Sequence, residues 1–357
     1  MHKDDQMTPK QRLANLNAGK EIDRMPIIPV FSNVVPRLSG MNLRDIRASA
    51  QNEAQSQLHA YQLLGYDSVV SDYGLHGIGI AMGSQVNNPE SAVAAIEHHV
   101  LTDFKNLDQL DPENASRKKD PKFARHYEAA EIMLEQVGDE CAVLAQISGP
   151  FTAAASIYPT EQILRASIKN PENLHKLIRF STDCIKTVIS EYMALNNVGF
   201  AMGDPVASGT VLKSKDYDEF VKPYMTEIAE HVHKLGSSIG YHICGNTLSI
   251  LESMADTGVD FLSLDNQVDM QTAKERVGSR VALIGNVDPT GVMMLGTVDE
   301  VDQAVKVCFQ KTADSPKGYM LSTGCDVPFN APLENLTAFM DAGRKYGKWP
   351  LNPNLYQ

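Results

Sequence analysis

No stretch of this sequence is apolar for long enough to span a membrane, which takes about 20 residues. The opening Met1-His2-Lys3-Asp4-Asp5-Gln6 has no apolar core, so it does not read as a secretory signal. Basic residues are in deficit. A net charge of -12 argues against nucleic acid as a partner, because phosphate binding calls for clustered lysine and arginine. The five cysteines, at 141, 184, 244, 308 and 325, are odd in number and widely scattered. That is the pattern of a reducing compartment rather than a disulfide framework, so the cytoplasm is the expected location. Glycines 74, 77, 79 and 83 match neither a dinucleotide fingerprint nor a Walker loop, since no lysine follows them and no strand, turn and helix frame them. No linker rich in proline, glycine or serine divides the chain.

What is present is the composition of a soluble globular enzyme, 43% hydrophobic and 21% charged over 357 residues. Thr8-Pro9 reads as an N-cap followed by proline at the first helical position, opening a helix that ends near Gly19. Short apolar runs at 25–30, 66–72, 142–147, 198–203, 237–240 (continuing toward His242), 259–265, 281–286 and 319–322 read as strands. Between them lie helical stretches, among them 43–64 closed by Gly65, a long region ending near Asn196, 214–235 closed by Gly236, and 332–346. Residues 73–140 are less regular and read as an insertion over one end of the sheet. Eight near-continuously apolar strands alternating with helices predict a (β/α)8 TIM barrel. The expected organisation is one domain over 1–357, with a helical extension at about 1–25 and the insertion after the second strand.

In such a barrel the chemistry sits at the C-terminal ends of the strands. Asp72, Ser148, Asp204, His242, Cys244, Asp265, Asn286 and Cys325 all fall there. His242 and Cys244 are two apart on a strand and so project from one face. An imidazole beside a thiolate suits zinc, but two ligands do not make a site. Cys325, after the eighth strand, is the candidate third ligand across the same mouth. The alternative for a lone His-x-Cys pair is a buried thiol packed beside a hydrogen-bonded histidine. Asp204, Asp265 and Asn286 read as rim residues that orient a substrate or hydrogen-bond His242; strand-end capping is the competing reading. Cys141, Cys184 and Cys308 fall on apolar faces and read as core.

Gly285-Asn286-Val287-Asp288-Pro289, Gly324-Cys325-Asp326-Val327-Pro328 and Ala331-Pro332-Leu333-Glu334-Asn335 resemble the uroporphyrinogen decarboxylase superfamily. So do Ser148-Gly149-Pro150-Phe151-Thr152 and Thr8-Pro9. His-x-Cys with a later Gly-Cys resembles its branch of zinc-dependent corrinoid methyltransferases, the methylcobamide:coenzyme M methyltransferase type. This resemblance implies zinc on His242, Cys244 and Cys325. It also implies methylcobalamin supplied by a separate corrinoid protein, and a small acceptor, either a coenzyme M-like thiol or tetrahydrofolate. No Asp-x-His-x-x-Gly cobalamin motif is present in this chain, since Asp72 and His76 are too far apart. Asp72 matches the acid with which the decarboxylases hold pyrrole nitrogens, so Asp72 and Asp265 are the candidate catalytic acids. Asp204, Asn286 and Ser148 are the candidate substrate-binding residues. A tetrapyrrole carboxy-lyase is the alternative activity, but only Arg37 stands between Pro29 and Gly40, where the decarboxylases carry several carboxylate-binding arginines.

Overall fold

Two prolines decide how the barrel closes. In the computed structural model, which describes residues 2–356, the expected first strand at 25–30 is present as a stave but not as a regular strand. Pro26 and Pro29 have no N–H to give to a ladder. The segment instead bonds at single points, Ile28 N to Leu321 O at 2.8 Å and Leu321 N to Pro26 O at 2.9 Å. On its other side Asp67 N donates to Ile27 O at 2.9 Å.

Among the described residues the main sheet has seven regular strands: β1 (Ser68–Gly74), β2 (Ala142–Ser148), β3 (Val198–Gly203), β4 (Ile239–Ile243), β5 (Phe261–Leu264), β6 (Ala282–Val287) and β7 (Tyr319–Thr323). They follow one another in chain order and every pairing is parallel. With the 25–30 stave between β7 and β1, this is a TIM barrel.

The helices cover the outside. Pro171–Tyr192 turns Leu174, Leu177, Ile178, Ile185, Val188 and Ile189 inward at helical spacing. Outward strand residues such as Val69, Ile147, Met202 and Tyr241 are buried beneath this layer. The inward residues, including Val70, Gln146, Ala201, Gly240 and His242, line a cavity of about 680 Å³ down the barrel. Small side chains at Gly199, Ala201 and Gly203 leave it open.

Three local expectations change. The helix expected over 43–64 is two, Leu43–Ile46 and Ala50–Leu64, because the Ser49 side chain accepts from Asn52 N and starts a new helix. The 214–235 helix is likewise split into Ser214–Phe220 and Lys222–Lys234, with Pro223 in the first turn of the second. The irregular stretch contains a regular barrel helix, Pro121–Val137, capped by Asp120. The insertion is therefore shorter. It holds the helix Gly77–Met82, an antiparallel ribbon of Gln85–Val86 with Ile96–His98, and two 3-10 turns. Cys141, Cys184 and Cys308 are buried.

Candidate metal centre

β4 carries His242 inward, and the chain leaves the strand one residue later. Cys244 then precedes Gly245, whose φ of +81° lies in the left-handed region that glycine tolerates. The turn is fastened from both sides. Gly245 N donates to Asp265 Oδ2 at 2.8 Å, and the Ser208 hydroxyl donates to Cys244 O at 2.7 Å. From across the mouth, Gly324 brings Cys325 in: a Cβ at 324 would collide with the backbone of Asn266.

These elements set Cys244 Sγ 3.3 Å from His242 Nε2 and 3.5 Å from Cys325 Sγ. All three ligand atoms lie within 4.8 Å of one another. Tetrahedral zinc, with bonds of about 2.3 Å to sulfur and about 2.0–2.1 Å to nitrogen, sets its sulfurs about 3.8 Å apart and N and S about 3.6 Å apart. The donor set and its spacing fit such an ion. His242 Nδ1 is 3.1 Å from both Ser263 O and Ser263 Oγ. A carbonyl only accepts, so a hydrogen bond there keeps the proton on Nδ1 and turns the Nε2 lone pair toward the sulfurs. Hydrogen bonding from Cys244 pulls the Cys325 thiol down to about 4 against the cost of burial, with His242 assisting. Cys244 is driven up by the same contact and by burial. Two sulfurs this close share one proton, the proton that a divalent cation would displace.

The remaining expected site residues lie around this centre rather than on the cavity wall. Asp265 accepts from Gly245 N and, at 2.9 Å, from Gln267 N, so it holds the Cys244 turn in place. Asn286 Nδ2 donates to Asp265 O and Val268 O at 2.9 and 2.7 Å, which fixes the loop bearing Asp265. Asp204 is fully buried and accepts from Thr152 N at 2.7 Å, capping the helix Pro150–Ile157; burial pushes its carboxyl up to about 6. Ser148 is also fully buried. None of these four lines the main cavity. Asp72 opens instead onto a neighbouring one, and burial raises its pKa. Ser263 was not among the expected residues, although its register opposite His242 follows from pairing β4 with β5. Removing the Asp265 carboxylate (Asp265→Ala) should weaken metal retention about 10–100-fold, the usual effect of losing a supporting partner, in competition with a chelator. Unchanged retention would leave Asp265 no part in the centre.

The family model described as uroporphyrinogen decarboxylase (URO-D) matches residues 8–346. The chain belongs to the uroporphyrinogen decarboxylase family. A family relative, a methylcobamide:CoM methyltransferase of Methanosarcina barkeri, is 26% identical over 351 residues, 96% of this chain and 99% of its own. A uroporphyrinogen decarboxylase of Parasynechococcus marenigrum is 29% identical over 245 residues, 66% of this chain and 68% of its own. The solved structure of a methyltransferase from Methanosarcina mazei aligns with a TM-score of 0.83 at 24% identity, over 96% of this chain and 99% of that one. That likeness supports the fold.

Proposed function

We propose that the chain is a cytoplasmic, zinc-dependent methyltransferase that takes a methyl group from a methylated corrinoid protein and gives it to a small thiol acceptor. The observation that carries this is the meeting of His242, Cys244 and Cys325 at the mouth of a 680 Å³ cavity. The near-full-length likeness to a methylcobamide:CoM methyltransferase supports it. Three protein ligands would leave a tetrahedral ion one open position, and zinc bound there supplies Lewis-acid lowering of an acceptor thiol's pKa.

The chain's own residues do the rest. Ser263 fixes the imidazole tautomer. Asp265 and Ser208 hold the Cys244 turn so that both sulfurs face the cavity. Apolar walls such as Val30, Ala201 and Ile284 limit water around the reacting sulfur. In the net reaction the sulfur lone pair forms the S–CH3 bond as the carbon–cobalt bond breaks. The bonding pair stays on cobalt, taking it from the +3 to the +1 state, and the thiol proton leaves to solvent. Arg37, the lone arginine of its segment, donates to Ala331 O, so it is already engaged with the backbone.

The test is metal analysis followed by an absorbance assay for cobalt(I) from methylcobalamin, run with coenzyme M, homocysteine and tetrahydrofolate in turn. About one zinc per chain and turnover with a thiol are expected. No turnover with any acceptor, together with coproporphyrinogen formed from uroporphyrinogen, would put the carboxy-lyase activity in its place.

A further inference from the structure

Beside the main cavity lies a second, of about 410 Å³, walled by the end of β1, the helices Ala50–Leu64 and Pro121–Val137, and the insertion. The two share Asn33, Gln146 and Asp326 as a common wall, and Asp326 directly follows Cys325. The second cavity is not apolar. Arg47, Lys122, Arg125, Asp72 and His76 line it, with Glu53 and His126 behind them.

The acids here are largely engaged. Glu53 Oε1 accepts from Asp72 N at 3.0 Å, and its Oε2 lies 2.7 Å from His126 Nδ1. Burial pushes the Glu53 carboxyl up to about 8, which further reduces the negative charge present at neutral pH. Unused donors remain beside them. Arg125 Nε and the Ser56 hydroxyl (a residue 1% exposed) are buried without hydrogen-bond partners among the described residues, as are Asp72 Oδ1, the ring nitrogen His76 Nδ1, and Glu53 Oε2 with the His126 Nδ1 it faces. Lys122 Nζ donates to Tyr73 O and has three protons to give. Burial brings Lys122 down to about 8, with the charge of Asp72 opposing that shift and the charge of Arg125 assisting it. Lys122 and Arg125, two cationic side chains with donors to spare, stand in one recess beside Arg47, whose guanidinium is held by Asn88, Pro89 and Ala92; together they suit negative charge.

We propose that this side cavity seats an oxyanion, a sulfonate, phosphate or carboxylate, on Lys122 and Arg125, and that the oxyanion is the far end of the acceptor whose thiol faces the Cys/His centre. The assignment to the acceptor rests on the methyl-transfer reading. The anion site itself does not.

Calorimetry separates the two. Ethanesulfonate, ethyl phosphate and propionate carry the anion without a thiol, and 2-mercaptoethanesulfonate carries both. At least one thiol-free anion should bind wild type and Cys325→Ser equally. It should bind Lys122→Met or Arg125→Met about 10–100-fold more weakly, the equivalent of one charge-assisted hydrogen bond, while Lys122→Arg retains most of the affinity. 2-Mercaptoethanesulfonate should bind wild type more tightly than ethanesulfonate, an advantage lost in Cys325→Ser. Failure of all three thiol-free anions to bind, or equal binding to both methionine variants with unaltered melting temperatures, would overturn the anion site. Anion binding that survives with no advantage from the thiol would overturn only the link to the acceptor.

Discussion

Replacing Cys325 with serine is expected to remove the metal ion and the methyl transfer together. The substitution keeps nearly the same volume at a half-buried position, so the barrel should fold and melt as before. What changes is the donor. A serine hydroxyl does not ionise near neutral pH and is a poor partner for zinc, so the centre keeps only His242 and Cys244, both from one strand end. The loss of zinc affinity should exceed the roughly 10–100-fold that follows removal of a supporting partner. Losing several kcal/mol of Lewis-acid assistance corresponds to a fall in rate on the order of 1000-fold or more. Cys184→Ser is the matched control. Cys184 is buried in the helix Pro171–Tyr192, so its loss changes a core thiol and leaves the centre intact. If Cys325→Ser keeps one zinc per chain and a rate within a few-fold of wild type, Cys325 is not a ligand.

The three ligands are legible in the sequence for a geometric reason. Residues two apart on a strand share a face, which pairs His242 with Cys244, and a closed barrel brings the end of its last strand round to the same mouth as β4. The apolar runs likewise mark the strands, because parallel strands under a helical layer alternate little. The 25–30 run is marked too, but its ladder is not, since each proline removes a donor. The helix break at Pro223 was available to the same argument.

The support of the centre is less accessible. Ser263 belongs to it through register, and register emerges only once β4 and β5 are paired. Asp265 and Asn286 are visible as strand-end polar residues, but whether such a side chain faces a cavity or ties down a loop depends on one rotamer. Lys122 and Arg125 are harder still. On an amphipathic helix the charged positions read as a solvated face, and only the insertion folding over the Pro121–Val137 helix encloses them.

At the opposite end of the barrel, Asp67→Asn should destabilise the fold by about 3–5 kcal/mol, the usual cost of breaking a buried ion pair from one side. Asp67 is 0% exposed and sits between two buried guanidinium groups. Arg12 Nη1 donates to its Oδ1, and Arg24 Nη1 donates to its Oδ2 at 2.7 Å. Ile27 N donates to the same Oδ2 at 2.6 Å, so this one carboxylate also ties the proline-interrupted stave to the chain entering β1. An amide there still accepts one bond but turns an N–H₂ toward cations and leaves their charge under-compensated. Asp5 and Asp23 soften the loss. Asp5 pairs with Arg24, and Asp23 takes two hydrogen bonds from Arg12 at 2.7 Å.

Burial alone would raise Asp23, yet the bonds from Arg12 outweigh it and hold the carboxyl well below the usual carboxylate range. Its folded pKa is therefore below its unfolded one. The stability it adds is present at neutral pH and is lost as the pH falls below about 4. For a chain of this size the Asp67→Asn deficit corresponds to a melting temperature lower by roughly 4–7 °C. Metal content and activity per folded molecule should be unchanged, because the network lies at the far end of the strands from the centre. The double variant Asp67→Asn with Arg12→Met should melt higher than the sum of the single effects predicts, since the second change removes the charge that the first strands. A drop of less than about 2 °C in Asp67→Asn would mean that Asp5 and Asp23 alone neutralise the pair of arginines, and that backbone bonds alone close the barrel at its proline-interrupted stave.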